Sequence, residues 1–293
     1  FIGSRGLIEG VEIKSYENIE EVLEIKSKEN LEGKTILIYV EQGLGDTIQF
    51  GRLIPQLVAK GAKVIFEVQK PLMSLMAQIE GVSKVIPYEE PLTDSFDYFC
   101  PLLSLPAALG LDIQEIPLAN GYLKASPTYI EKWKKILGEK TKPRIGLVCS
   151  GNPMHDNDQN RSILLFDIIP NLPKEIEYIT LQKEMREADR QLIEKYPLFK
   201  SFGDQLESFE DTAALCELMD VVISVDTSVA HLSGALAKKT YLLIPFCPDW
   251  RWMLSRTDSP WYSSMYIYRQ EFINNWQSTF QKLAKDLNSL LLS

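Results

Sequence analysis

The chain has 293 residues, 45% hydrophobic and 24% charged. That supplies apolar material for packed cores and, at roughly 100 to 200 residues per domain, points to two domains and excludes disorder as the main state. A net charge of −9 repels a phosphate backbone and argues against general nucleic-acid binding, while leaving room for a local basic pocket.

The four cysteines (Cys100, Cys149, Cys216, Cys247) form no C-x-x-C pair, and there are only two histidines, His155 and His231, so no ligand set for a structural zinc is present. Three of the four cysteines lie in apolar stretches that read as strand or helix, so the thiols read as buried and free, in a reducing, cytoplasmic setting. Apolar runs such as Tyr241–Phe246 fall far short of the roughly 18 to 20 residues of a membrane helix. The start at Phe1, with neither Met nor a basic-then-apolar leader, reads as that of a fragment of a longer chain.

In chain order, the first βα unit is the apolar run Thr35–Val40, the turn Gln42-Gly-Leu-Gly-Asp46 and a helix from about Thr47 to Lys60 ended by Gly61. A strand at Lys63–Val68 follows, a helix opens at Pro71, and Lys84–Ile86 and Tyr98–Cys100 are weaker strands. The Pro-punctuated stretch Ile113–Ser126 holds the domain boundary. After a helix at Pro127–Leu137, strands restart at Arg144–Cys149, Glu177–Leu181, Val221–Val225 and Thr240–Ile244, with helices between. The expected division is 1–125, 126–273 and a last helix, 274–293, packing across both domains. Parallel α/β sheets bind ligands at their strands' carboxyl ends, so two in tandem are expected to face a central cleft.

The turn after the first strand holds Gly43, Gly45, Asp46 and, in the helix, Gln49. Glycines here permit positive φ or close approach of a ligand to the backbone. A dinucleotide fingerprint would need Gly at Ile48, and Asp46 would oppose a pyrophosphate, although Glu67 stands where a ribose partner would. Asp46 then has two readings: a base that takes a proton from a hydroxyl, or a helix cap. Val225-Asp-Thr-Ser-Val-Ala-His-Leu232 runs from a buried strand into a helix start. There Asp226, Thr227, Ser228 and His231 suit a diphosphate, or serve as a cap with a core histidine.

The loop Ser150–Ser162 carries Ser150, Asn152, His155, Asp156, Asn157, Asp158 and Arg161. Arg161 is either a phosphate partner or a solvated cation, and Asp156-Asn-Asp158 matches a short metal-binding pattern that is common by chance. Gln182 and Lys183, at a strand end, can contact a nucleotide or simply face solvent. Pro248-Asp-Trp-Arg-Trp-Met253 and Ser259-Pro-Trp-Tyr262 offer rings for stacking, with packing the favoured reading.

Four stretches together resemble the glycosyltransferase-type domain at the C-terminal end of bacterial tetratricopeptide-repeat proteins, which is similar to the lipopolysaccharide heptosyltransferases. They are Glu41–Phe50, Gly146–Pro153 with Asn157-Asp158 and Arg161-Ser162, Val225–Leu236, and Pro248–Trp252 with Asp258–Tyr262. The resemblance runs from about Gly33 to Gln270; the residues before it do not look like the repeats that usually precede the domain. It implies a GT-B architecture of two Rossmann-like domains and a metal-independent, inverting glycosyl transfer without a cofactor.

In that family Asp46 matches the proposed base, while Gly43, Gly45 and Gln49 lie on the acceptor side. Asp226, Thr227, Ser228 and His231 map onto the donor's phosphate site, with Arg161 the nearest match to a phosphate-binding cation. Ser150, Asn152, Gln182 and Lys183 complete the expected donor side. The family favours Lys or Arg before Trp-Pro where this chain has Ser162-Ile163, which weighs against ADP-heptose more than against nucleotide sugars in general. The expected partners are a nucleotide sugar, a saccharide, lipid-linked or protein acceptor, and an upstream repeat domain. The rival readings are a non-catalytic GT-B-like scaffold and, less favoured, an NAD-dependent oxidoreductase.

Overall fold

The structure, a computed structural model, describes residues 30–88, 90, 94–117 and 119–292. The chain divides into two compact units after Pro117.

The first unit is built on four parallel strands: β1 (Thr35–Tyr39), β2 (Lys63–Val68), β3 (Val82–Pro87) and β4 (Tyr98–Pro101), in the order β3-β2-β1-β4. Ile36 and Ile38 on one face of β1 and Leu37 on the other are all buried, as expected of a parallel strand covered on both sides. Helix α1 (Leu44–Gly51) follows β1. The single helix expected over Thr47–Lys60 is instead two pieces, α1 and a short turn at Ile54–Val58. Pro55 supplies no N–H and its ring crowds the carbonyl four residues back, so the helix stops and restarts with Pro in its first turn. The start moves too, because Gly43 rather than Asp46 is the N-cap.

The second unit opens with α2 (Pro127–Leu137) and carries six parallel strands: β5 (Arg144–Val148), β6 (Glu177–Thr180), β7 (Phe199–Ser201), β8 (Val221–Val225), β9 (Thr240–Ile244) and β10 (Met265–Arg269). Helices α3 (Phe209–Leu218), α4 (Ser228–Ala235) and α5 (Gln277–Leu290) are its longer later helices. The sheet order is β10-β9-β8-β5-β6-β7. Counted from β5, this is the 3-2-1-4-5-6 winding of dinucleotide-binding sheets. Phe280, Leu283 and Leu287 of α5 join the same core as Ile145, Ile223 and Tyr241. Before α2, the Tyr122 and Leu123 N–H groups both donate to the Ala235 carbonyl, tying that segment to the end of α4. Strands β7 and β10 lie beyond those expected; both are sheet edges.

The winding fixes where a ligand would lie. Strand order reverses between β1 and β4 in the first sheet and between β5 and β8 in the second. The carboxyl ends beside those reversals form the crevices that open α/β sheets use. They lead into residues 40–46, 149–157 and 226–228.

Candidate functional site

The loop after β1 is fastened at both ends. Thr47 Oγ1 donates to Gln69 Oε1 at 2.8 Å, and Gln69 Nε2 donates to the Gln42 carbonyl at 2.9 Å. Asp46, half-buried at the third position of α1, accepts the Gly43 N–H on Oδ2 at 3.0 Å. This capping bond holds the carboxylate at the positive end of the helix. Gly43 sits at φ −72 and Gly45 lies within the helix, so neither uses the positive φ that the sequence invites. Gln49 is fully buried, and so is Ile48, where a third fingerprint glycine would stand.

In the second unit, Arg161 spans two loops. Its Nη1 donates to the Asp226 carbonyl at 3.0 Å and its Nε lies 3.6 Å from Asp158 Oδ1. A Cβ on Gly151 would fall 2.5 Å from Arg161 Nη2, so glycine at that position is what lets the guanidinium lie against the loop. Asp158 is buried, accepts the Ser162 hydroxyl at 2.7 Å and pairs with Arg186. It therefore serves as an internal anchor, with Asp156 exposed beside it. Ser162 Oγ also accepts the Gly151 N–H at 3.1 Å. The Ser162 hydroxyl is thus a strut of this loop.

Helix α4 begins at Ser228 with Thr227 as N-cap in extended conformation, and its first N–H groups have no partner within the helix. Asp226, at the end of β8, has a side chain 18% exposed. Burial pushes its carboxyl up to about 6, further than the Trp252 indole and the Arg161 and Arg251 guanidiniums hold it down, and Asp249 adds to the rise. His231 Nε2 lies 3.9 Å from Asp226 Oδ1, and the imidazole stacks on Trp252 at 5.5 Å. Arg161, Asp226, Thr227, Ser228 and His231 thus form one neighbourhood.

The remaining expected residues divide. Gln182 is buried and its amide is used within the protein: Oε1 accepts the Cys149 N–H at 2.8 Å and Nε2 donates to Ser150 Oγ at 2.8 Å. Asn152 accepts the Met154 N–H in an exposed turn, and Lys183 is exposed. In the aromatic loop Trp252, Trp261 and Tyr262 are buried as expected while Trp250 is exposed, and the Trp252 and Tyr262 rings pack onto His231. Arg186, which anchors Asp158, left no local signal in the sequence. Of the thiols, Cys100, Cys149 and Cys216 are buried and Cys247 is exposed, and all four are free. Among the described residues no helix is long and apolar enough to cross a membrane.

No protein-family model matches the chain. Its fold matches the Escherichia coli ADP-heptose lipopolysaccharide heptosyltransferase II at a TM-score of 0.61 and 14% identity, covering 88% of this chain and 98% of that one. It matches a glycosyl transferase family 9 structure from Veillonella parvula at a TM-score of 0.65 and 11% identity, over 90% and 99% of the two chains. The chain has the GT-B heptosyltransferase fold. A further structure of this fold, Escherichia coli heptosyltransferase WaaC, was solved with ADP-2-deoxy-2-fluoro heptose and matches at a TM-score of 0.54 and 11% identity, over 88% and 98%. In sequence, the chain is 25% identical over 290 residues to Protein FlbA of Caulobacter vibrioides, covering 90% of this chain and 48% of FlbA. The chain therefore spans about half the length of that curated relative.

Proposed function

We propose that this is a cytoplasmic glycosyltransferase that moves a sugar from a nucleotide-diphosphate donor to an acceptor hydroxyl, with inversion and without a metal. The observation that carries the reading is the position of the motifs. Asp46 and the Asp226–His231 group each follow a strand at the switch point of their own sheet, in a fold shared with heptosyltransferases.

In the proposed reaction the Asp46 carboxylate takes the acceptor's O–H proton, and the freed oxygen attacks the anomeric carbon. The bond from that carbon to the diphosphate oxygen breaks. The leaving diphosphate gains negative charge, which the first N–H groups of α4 and the Arg161 guanidinium offset. Ser150 and Asn152 line the donor loop, with Gln182 shaping it from beneath and Lys183 at its rim. Gly43 and Gly45 leave the acceptor side open, and Gln49 supports that loop from the core. The departure from the family's Trp-Pro pattern at Ser162-Ile163 favours a nucleotide sugar other than ADP-heptose. The acceptor is a saccharide, a lipid-linked sugar or a protein, and the domain works beside helical repeats, as in the family it resembles.

Asp46→Asn is the test, because the amide oxygen can still accept the Gly43 N–H but cannot take a proton. The expected outcome is loss of at least about 100-fold in turnover with unchanged donor affinity, measured after a thermal-shift panel of UDP, GDP, ADP, CMP-sugar and NAD has identified the ligand. Full activity in Asp46→Asn would sink the mechanism. A second reading, a non-catalytic binding module, draws on the capping bond that already occupies Asp46. It predicts nucleotide binding with no turnover even in the unaltered chain.

A further inference from the structure

His231 is held by more structure than a core histidine requires. Its side chain is 7% exposed, stacks on Trp252 with ring planes 27° apart, and has Nδ1 3.0 Å from the Tyr262 hydroxyl. Tyr262 reaches that position because residue 234, further along α4, is glycine: a Cβ there would lie 2.4 Å from Tyr262 Cγ. Trp252 is fastened in turn, since Arg269 Nη2 donates to its carbonyl at 3.0 Å and Asp249 caps the turn Trp250–Trp252. His231 Nε2 is the nitrogen facing Asp226, next to the start of α4.

We propose that Tyr262 is a positioning residue for the diphosphate group of the donor: its phenol donates to His231 Nδ1 and so places the ring proton on Nε2. The inference rests on the donor-site reading above and deepens it. Which imidazole nitrogen carries the proton is set by the bond the other one makes. A diphosphate oxygen offers only acceptor lone pairs, so Nε2 serves it as a donor and repels it when bare. Trp252 fixes the plane of the ring, Tyr262 selects its tautomer, and Gly234 gives Tyr262 the room to do so. A histidine serving only as core filling has no need of one tautomer.

The chain contains two histidines, so 15N-histidine NMR of the full chain shows two imidazoles, and His155→Gln assigns them. The expected result in ligand-free protein is a single Nε2–H tautomer for His231. Tyr262→Phe, which keeps the ring over Gly234, is expected to shift His231 to a tautomer mixture and leave His155 unchanged. That variant is then expected to bind the nucleoside diphosphate selected by the thermal-shift panel roughly tenfold more weakly.

An Nδ1–H tautomer in the unaltered chain overturns the proposal without any variant. So does an unchanged tautomer in Tyr262→Phe, or a changed tautomer with undiminished affinity. If no nucleotide binds the unaltered chain, the donor-site reading falls and the diphosphate role falls with it. The ligand-free spectra then still decide separately whether Tyr262 sets the imidazole.

Discussion

Asp226 shows what the proposed diphosphate site costs before any ligand arrives. Its carboxyl is pushed up to about 6 from an ordinary 3.8, mainly by burial. An acid whose pKa is raised on folding binds its proton more tightly in the folded chain, so stability falls as pH rises between the unfolded and folded values. The loss is complete above about pH 6, and a rise of that size corresponds to about 3 kcal/mol. Asp226→Asn removes the ionisation while leaving the backbone carbonyl that Arg161 holds. The variant is expected to be more stable than the unaltered chain at pH 8 by up to about 3 kcal/mol, with the advantage gone near pH 4. Urea unfolding at both pH values measures this, and an equal difference at the two would remove the ionic explanation.

Helix placement depends on a different acid. Asp211, at the third position of α3, has a fully buried side chain and is bonded from two elements: Lys132 Nζ at 2.8 Å and Trp133 Nε1 at 2.9 Å from α2, and the Glu207 and Ser208 N–H groups beside it. Burial alone would raise its carboxyl, but these donors hold it below the ordinary value. The linkage therefore runs opposite to that of Asp226: its contribution is present above the unfolded pKa and is lost as pH falls through the folded one. Asp211→Ala strands the buried Trp133 N–H and unfastens α2 from α3, so it should cost at least about 2 kcal/mol at pH 7. The deficit should narrow at pH 3 in the same urea titration.

The same scale explains what the sequence made legible. Strands β5, β8 and β9 are buried at every position, and a strand covered on both faces reads as an unbroken apolar run. Edge strands lack that signature: β7 has three residues, two of them exposed, and β10 mixes exposed Tyr266 with buried neighbours. Asp226-Thr-Ser228 was readable because strand, hydroxyl residues and helix start are contiguous. Tyr262 lies 31 residues from the His231 it contacts, and only the path of the chain over Gly234 brings them together. The Arg186 to Asp158 pair is hidden for the same reason, being 28 residues apart in sequence.

At the scale of the whole chain, a net charge of −9 means that a diphosphate must be held by local donors against an unfavourable overall field. The proposed donors, the α4 start and Arg161, belong to the second unit, whereas the glycine turn that a dinucleotide would use belongs to the first. Hydrogen exchange on the intact chain separates the two readings. A ligand at 100 times its dissociation constant adds roughly 2.7 kcal/mol to the unit that binds it, which slows exchange through global opening of that unit about 100-fold. With a nucleoside diphosphate the slowing is expected at the amides of β5, β8 and α4, and not at those of β1 and α1. NAD binding at Gly43 and Gly45 would reverse the pattern. Protection centred on β1 and α1 would move the nucleotide to the first sheet and leave the Asp226–His231 neighbourhood without a ligand.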